Sequence, residues 1–434
     1  MKQLTRLFIP ICLETLFYML SGMVDTLMLS AVGDYAVGAV GTANSYIGIF
    51  IIMFSIISSG MVSVMTQNIG AGRPGVAYQA RQLGLLFNAV AGVLMAVFLF
   101  SGAGAILRMV GIADALYEPA LIYLKIVGGG CILNAVIPIF SSYLRAFGYT
   151  KQPLYATIVG NIANFVMNAV FLFVLHKGVA GVAIATVISK ILNLCIVLYF
   201  SHKLISAKNS TERIANKTVL GQIVKVGLPS ACETALYNVA MMLVIRFLNQ
   251  MDAEGLNVTA RSYTATISNF SYCVGAALAQ ANAIMTGWHI GAGELEECDR
   301  GTKRAAFVGV CVAVCMETAI VLGSGFIMPL FTDNPEMTAL VRKLLAIDIV
   351  LEIGRVTNLV FGQALKTSGD AVFPAVIAAV FMFVFAVGGT WLFGISMGLM
   401  AVGAYIGLAS DECVRAVGMV WHWKTGKWRT KKLV

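Results

Sequence analysis

Glu14 and Asp25 stand eleven positions apart in "IPICLETLFYMLSGMVDTLMLS" (Ile9–Ser30), a stretch otherwise fit for lipid. A carboxylate at a bilayer centre costs roughly 2.5–3.5 kcal/mol on insertion scales, so such residues belong to a protein interior or a water-filled path. Eleven helical residues advance about 1100°, about 20° from whole turns, which puts both acids on one face about 16 Å apart along the axis. Such a carboxylate can hold Na⁺ with other oxygens or carry a proton; otherwise it is a structural acid bonded to a Tyr, Asn or Lys on a neighbouring helix. Asp348, Glu352 and Arg355 follow one another at spacings of four and three, forming one helical stripe on which Glu352 can meet either neighbour. That stripe has two readings: a structural ion-pair network, because unpaired burial costs several kcal/mol, or a site for a coupling ion or an anionic substrate group. Asn161, Asn164 and Asn168 share a face and offer carbonyl oxygens, hydrogen bonds to Asp25, or plain interhelical bonding. Glu233 and Arg261 complete the primary candidates, with Lys125, Lys190, Glu317, Asp411, Glu412 and Arg415 behind them. The nine cysteines have no metal-ligand spacing and the four histidines fall near helix ends, so neither type supplies a metal site.

The elements that carry these residues are membrane helices. Hydrophobic residues make up 59% of the 434 positions and charged ones 12%, far from the roughly 25% charge of soluble domains; mean hydropathy is +0.85. Apolar runs long enough to cross a bilayer predict about twelve helices, at 8–30, 40–66, 82–104, 116–142, 153–175, 179–202, 222–249, 257–286, 303–325, 338–364, 371–394 and 399–422. The class is an all-α polytopic membrane protein, with the first helix retained rather than cleaved as a signal. Basic residues gather in alternate loops (Lys2, Arg6; Arg73, Arg81; Arg145, Lys151; Lys203, Lys208, Arg213, Lys217, Lys225; Arg300, Lys303, Arg304; the tail), which makes both termini cytoplasmic in a cell (plasma) membrane. The net charge of +9 is spent on orientation, and a nucleic-acid partner is excluded. The tail "WHWKTGKWRTKKLV" reads as an aromatic belt with orienting charge, or as a patch for anionic membrane lipid. "EECD" (Glu296–Asp299) reads as a solvated charge run, and the glycine-rich loops as tight turns.

The sequence also repeats itself. "IPICLETLFY" (Ile9–Tyr18) matches "LPSACETALY" (Leu228–Tyr237), with Glu233 standing 219 positions after Glu14; "IGAG" at Ile69 recurs at Ile290, and "LRAFGYTKQP" at Leu144 returns as "LKTSGDAVFP" at Leu365, both 221 positions on. Each repeat holds six helices, and an even number of crossings gives both the same orientation, so two pseudo-symmetric six-helix bundles in parallel repeat are expected. The organisation is residues 1–202 for the N-lobe, 203–221 for a cytoplasmic linker, 222–422 for the C-lobe and 423–434 for a basic cytoplasmic tail.

"VDTLMLSAVGDYAVGAVGTAN" (Val24–Asn44), the Gly-Ala-Gly loops, the Leu-Arg-x-x-Gly-x4-Pro pattern and their return in the second half resemble the multidrug and toxic compound extrusion (MATE) family over nearly the whole chain. The resemblance implies a V of two bundles that exports organic, often cationic, compounds in exchange for H⁺ or Na⁺. Asp25 matches the family's first-helix acid. The proton-driven branch has an Asp four residues after an Asn on its fifth helix, where this chain reads "NFVMN", Asn164 to Asn168. The sodium-type branch has an acid on its seventh and its tenth helix; Glu233 is displaced by about a turn from the former, and Arg355 falls nearest the latter. Val244 stands where the repeat would place a second Asp25.

The expected function is an antiporter working by alternating access, not an enzyme, with no cofactor beyond a coupling ion, H⁺ or Na⁺. Asp25, Glu14, Asn164, Asn168, Glu233, Asp348 and Glu352 are the candidates for ion coupling, and Asp25, Glu233, Arg261 and Arg355 for substrate contact. Asp25 and Glu233 would be metal ligands under Na⁺ coupling. Partners are small organic substrates and membrane lipid, with a monomer expected. The alternatives are a lipid-linked saccharide flippase of the same superfamily and, further off, an integral membrane transferase. The transferase would need a clustered acidic Mg²⁺ motif at a membrane face.

Overall fold

The computed structural model describes residues 2–110, 112–205, 212–252 and 255–434. Lys208 and the rest of 206–211, within the expected linker, lie outside the described residues. Among the described residues all regular structure is helical. The first half holds α1 (Lys2–Ser30), α2 (Asp34–Gly70), α3 (Pro74–Val110), α4 (Asp114–Gly129), α5 (Cys131–Ala146), α6 (Lys151–Ala169) and α7 (Gly178–Leu204). The second holds α8 (Asn216–Met251), α9 (Leu256–Ala292), α10 (Leu295–Ile327), α11 (Pro335–Ser368), α12 (Val372–Phe381) and α13 (Met400–Lys424). α6 runs on into a π-helical turn at Val170–Val174, and α12 into two, Met382–Val387 and Thr390–Ser396.

α4 and α5 together are the expected fourth helix, bent by 42° at Gly130, where three consecutive glycines weaken the rod. With that pair counted as one span, twelve rods result. Eight helices, or nine with the bent pair, are long and apolar enough to cross a membrane by composition among the described residues. α9, α11 and α13 fall short because they carry the polar and charged stripes. The linker is also shorter than expected: α7 continues to Leu204 and α8 begins at Asn216, where polar residues form helix without being apolar. Gln79 on α3 receives the Ile214 N–H (3.2 Å) and donates to the Ile214 carbonyl (2.7 Å), fixing the described end of the connector.

The chain divides into two compact units, Lys2–Gly227 and Leu228–Val434, with the division one residue before Pro229 of the repeat. Within the first unit, α2, α3, α4 and α7 bury Ile47, Phe54, Leu99, Leu124 and Val182. Within the second, α11 packs against α9, α10 and α13, and buries Leu344, Leu345 and Leu351 with Tyr405. The repeated glycine-rich turns have a backbone cause: Gly72 and Gly293 both take positive φ, 75° and 78°, where α2 and α9 stop.

The C-terminal tail departs from the aromatic belt expected of it. Trp423 and Trp428 are buried and stacked with ring centroids 4.2 Å apart, and only Trp421 faces outward. Trp423 Nε1 donates to Asp299 Oδ1 at 2.7 Å, and Arg429 pairs with Glu296 at 2.7 Å. The "EECD" segment is therefore a partner of the tail rather than a purely solvated run; the indole N–H needs an acceptor once its ring is buried, and Asp299 provides it.

In the loop between α8 and α9, Asp252 accepts the backbone N–H groups of Leu256 (2.8 Å) and Asn257 (3.0 Å) and so opens α9. Slight burial acts against its charged form, but the hydrogen bonds from Asn257 and Leu256 outweigh this and hold the carboxyl below the usual carboxylate range. A carboxyl held low stabilises the fold above its unfolded value of about 4 and loses that contribution as pH falls through the folded value. Asp252→Ala is expected to cost about 1 kcal/mol, read as a lower melting temperature in detergent at neutral pH, with the difference shrinking in acid.

Candidate functional site

The structure divides the candidate residues between two clusters, one inside each unit. In the first unit, Asp25 on α1 accepts from Asn168 Nδ2 on α6 at 2.8 Å, and the same amide lies 3.1 Å from Asn164 Oδ1. Asn161, one turn earlier, bonds the Phe17 carbonyl instead and ties α6 to α1. Lys190 on α7 donates to Asn134 Oδ1 on α5 at 2.8 Å, and its charge acts on Asp25. Tyr123 on α4, with Asn44 and Thr186 beside its hydroxyl, lies near Asp25 in the same cluster. Asp25 thus has an internal counter-charge, and the amide at 168 supplies a donor where a second acid would repel it. Lys125 is exposed.

Glu14 and Glu233 form the same contact twice. Arg145, the base of "LRAFG", meets Glu14 at 2.6 Å, and Lys366, the base of "LKTSG", meets Glu233 at 2.7 Å. Each half therefore joins its first helix to the C-terminal end of its fourth span through an acid and a base that recur together in the repeat. Sequence comparison of the halves contained this signal, since the 221-residue spacing superposes Arg145 on Lys366, but it takes the fold to show that the repeated base serves the repeated acid.

The second unit carries most of the charge. Glu352 pairs with Arg355 one turn on, and Arg355 Nε lies 3.8 Å from Glu412 Oε1 of α13. Arg415 bridges Asp411 and Glu412, both at 2.8 Å. The close crossing of α11 and α13 makes this possible: a Cβ on Gly354 would stand 2.6 Å from the Glu412 carbonyl carbon, so only glycine lets the two backbones meet there. Behind Arg355, Glu317 of α10, Asp348 and Glu352 each present a carboxylate oxygen, all within 4.8 Å of one another. These three side chains are 0%, 2% and 0% exposed. Both Glu317 oxygens, Asp348 Oδ2 and Glu352 Oε2 lack a hydrogen-bond partner of good geometry among the described residues. The buried hydroxyls of Ser271 and Ser268 on α9 lie beside Glu317 and Asp348. Three carboxylates with two hydroxyls beside them form an all-oxygen set of the kind that suits a hard cation.

A cavity of about 480 Å³ inside this unit is lined by Glu233, Arg261, Asp348, Arg355, Lys366 and Glu412, among others. Taking the cavity with the carboxylate trio, six acids (Glu233, Glu317, Asp348, Glu352, Asp411, Glu412) stand against four bases (Arg261, Arg355, Lys366, Arg415). Glu317 and the two serines are the members that sequence reasoning set low or passed over. They meet the stripe only through tertiary packing of α9 and α10 on α11.

Charged groups held inside apolar helix bundles, with a cavity among them, are features of a multi-pass membrane protein. The sequence profile of the MatE family matches residues 10–170 and 229–392. The chain is 32% identical over 428 residues to the uncharacterized transporter YisQ of Bacillus subtilis (strain 168), covering 97% of this chain and 94% of that one. It is 20% identical to the probable multidrug resistance protein NorM of Thermotoga maritima, across 100% of this chain and 94% of the relative. Among solved structures, an outward-facing multidrug resistance MATE family transporter of the MOP superfamily superposes with a TM-score of 0.85 at 20% identity, over 99% of this chain and 97% of the other. A MOP superfamily transporter from Pyrococcus furiosus, described by the reverse polarity of its binding pocket, gives 0.83 at 20% identity, over 99% and 96%. The chain belongs to the MatE family, whose members are efflux transporters and not enzymes.

Proposed function

We propose that this protein is an ion-coupled exporter of organic compounds, cationic ones among them, in which H⁺ or Na⁺ enters as the counter-ion and occupies the carboxylate trio of the second unit. The observation that carries this reading is the imbalance at Glu317, Asp348 and Glu352, where three buried carboxylates have the Arg355 guanidinium as their nearest positive charge. Positive charge has to be supplied from outside, and a cation that binds one state of the transporter better than the other shifts the balance between them. Asp25 stays a candidate for substrate contact and for ion coupling through Asn164 and Asn168, with Lys190 as the base whose charge acts on it. Glu14 and Glu233 act as framework in this reading, each closed by its own base. The loop charges support a cell-membrane protein with both termini in the cytoplasm, working as a monomer with organic substrates and lipid as its partners. The flippase reading is not favoured: a pyrophosphate head calls for several uncommitted bases in the first unit, and the base in the Asp25 cluster is Lys190, already bound to Asn134.

Purified protein in lipid vesicles, loaded with a fluorescent organic cation and given a pH gradient or a Na⁺ gradient separately, tests this. One gradient is expected to drive accumulation and the other not. Failure of both gradients across a broad panel of cations would sink the coupling.

A further inference from the structure

We infer that the cavity of the second unit contains an anion subsite centred on Arg261, which takes the carboxylate of an amphiphilic organic compound. Three of the four bases at this cavity have carboxylate partners: Lys366 with Glu233, Arg355 with Glu352 and Glu412, Arg415 with Asp411 and Glu412. Arg261 has no carboxylate within 4.0 Å among the described residues, and its guanidinium meets the thioether of Met241, with Nη2 3.8 Å from Sδ. A thioether is a weak acceptor, so the fork of donors on Arg261 remains available. An arginine that lines a cavity without a carboxylate in ion-pair contact keeps its donors for an anion or ordered water. Its planar donors fit a carboxylate through two parallel hydrogen bonds.

The surroundings set the rest of the ligand. Met241, Ala265, Met382, Tyr405 and Leu408 line the same cavity and offer an apolar wall, two of them as adaptable methionines. A small aromatic or aliphatic body bearing one carboxylate matches both parts of the site. Arg261 lies outside the Glu317–Asp348–Glu352 trio, so an anion on it and a cation in the trio need not exclude each other. The inference rests on the transport reading only in taking this cavity as part of the substrate path; binding itself is measurable without any gradient.

The test is equilibrium binding of dansylglycine and dansylcholine, the same fluorophore with opposite charge, to the full-length protein in detergent. Dansylglycine is expected to bind, at least tenfold more weakly to Arg261→Gln, with Arg261→Lys intermediate and dansylcholine changed less than threefold. The methyl ester of dansylglycine, used on the unaltered protein, removes the charge without touching the fold and is expected to bind at least tenfold more weakly. The subsite is overturned if dansylglycine does not bind the unaltered protein, if the ester binds as well as the acid, or if Arg261→Gln retains full affinity. Gradient-driven transport without Arg261-dependent binding would overturn this inference and leave the coupling intact; Arg261-dependent binding without gradient-driven transport would do the reverse.

Discussion

Glu317→Gln is expected to cut ion-driven transport at least tenfold while leaving the protein as heat-stable as its parent, or more so. Glu317 has the two properties that separate function from stability: neither of its oxygens has a partner of good geometry among the described residues, and one of them lies within 4.8 Å of a carboxylate oxygen of Asp348 and of Glu352. Like charges crowded at low dielectric destabilise the fold, so an amide of the same shape relieves the repulsion and loses no ion pair. The same change removes one ligand oxygen and one negative charge from the trio, which weakens the reason for a cation to enter. A melting curve in detergent and gradient-driven uptake in vesicles, taken on one preparation, read both effects. Undiminished driven uptake, with unchanged ion dependence, would remove the trio from the coupling mechanism.

Arg355→Gln should have the opposite balance, a loss of about 3–5 kcal/mol of stability, the usual cost of removing one partner from a buried charge pair. Arg355 is shared between Glu352 and Glu412, and its charge also acts on Asp348 and Glu317. Its removal leaves those carboxylates facing one another, with Arg415 already engaged by Asp411 and Glu412 and Arg261 in ion-pair contact with none of them. Adding Glu352→Gln to Arg355→Gln removes part of the excess and is expected to restore at least half of the lost melting temperature. Residues in direct contact are coupled, so the double variant should be more stable than the sum of the single changes. Strict additivity would mean that the pair contributes nothing as a pair.

The sequence was most informative where chemistry repeats at short range. The twelve rods follow from apolar runs, and the internal repeat yields the two halves. Asp25 and Asn168 can be proposed as neighbours because both are polar in apolar helices, and the structure brings them to 2.8 Å. The stripe Asp348–Glu352–Arg355 is legible from spacing alone, including the contact between Glu352 and Arg355. What spacing cannot convey is which distant helix completes a site. Glu317 is a lone acid in an apolar run, and its approach to Asp348 depends on how α10 rotates against α11. Arg415 and Glu412 reach Arg355 because Gly354 lets α13 come close, which is a property of an absent side chain. The tail misled for a related reason: tryptophans beside lysines have the composition of a membrane interface, yet Asp299 and Glu296 supply acceptors that draw the tail onto the protein.

The twin acid–base contact also bears on how the chain enters the membrane during synthesis. Glu14 is separated from Arg145 by 131 residues, so the acid emerges long before its base. At about 5–20 residues per second, the interval is about 7–26 s. Through that time the first helix carries a carboxylate whose partner does not yet exist, at an insertion cost of roughly 2.5–3.5 kcal/mol if it sits at mid-bilayer. Arg145 then closes the contact as the fourth span arrives, and the second half repeats the sequence of events with Glu233 and Lys366. In each half, therefore, the arrival of one base with the fourth of six spans ends the exposure of one acid at its start.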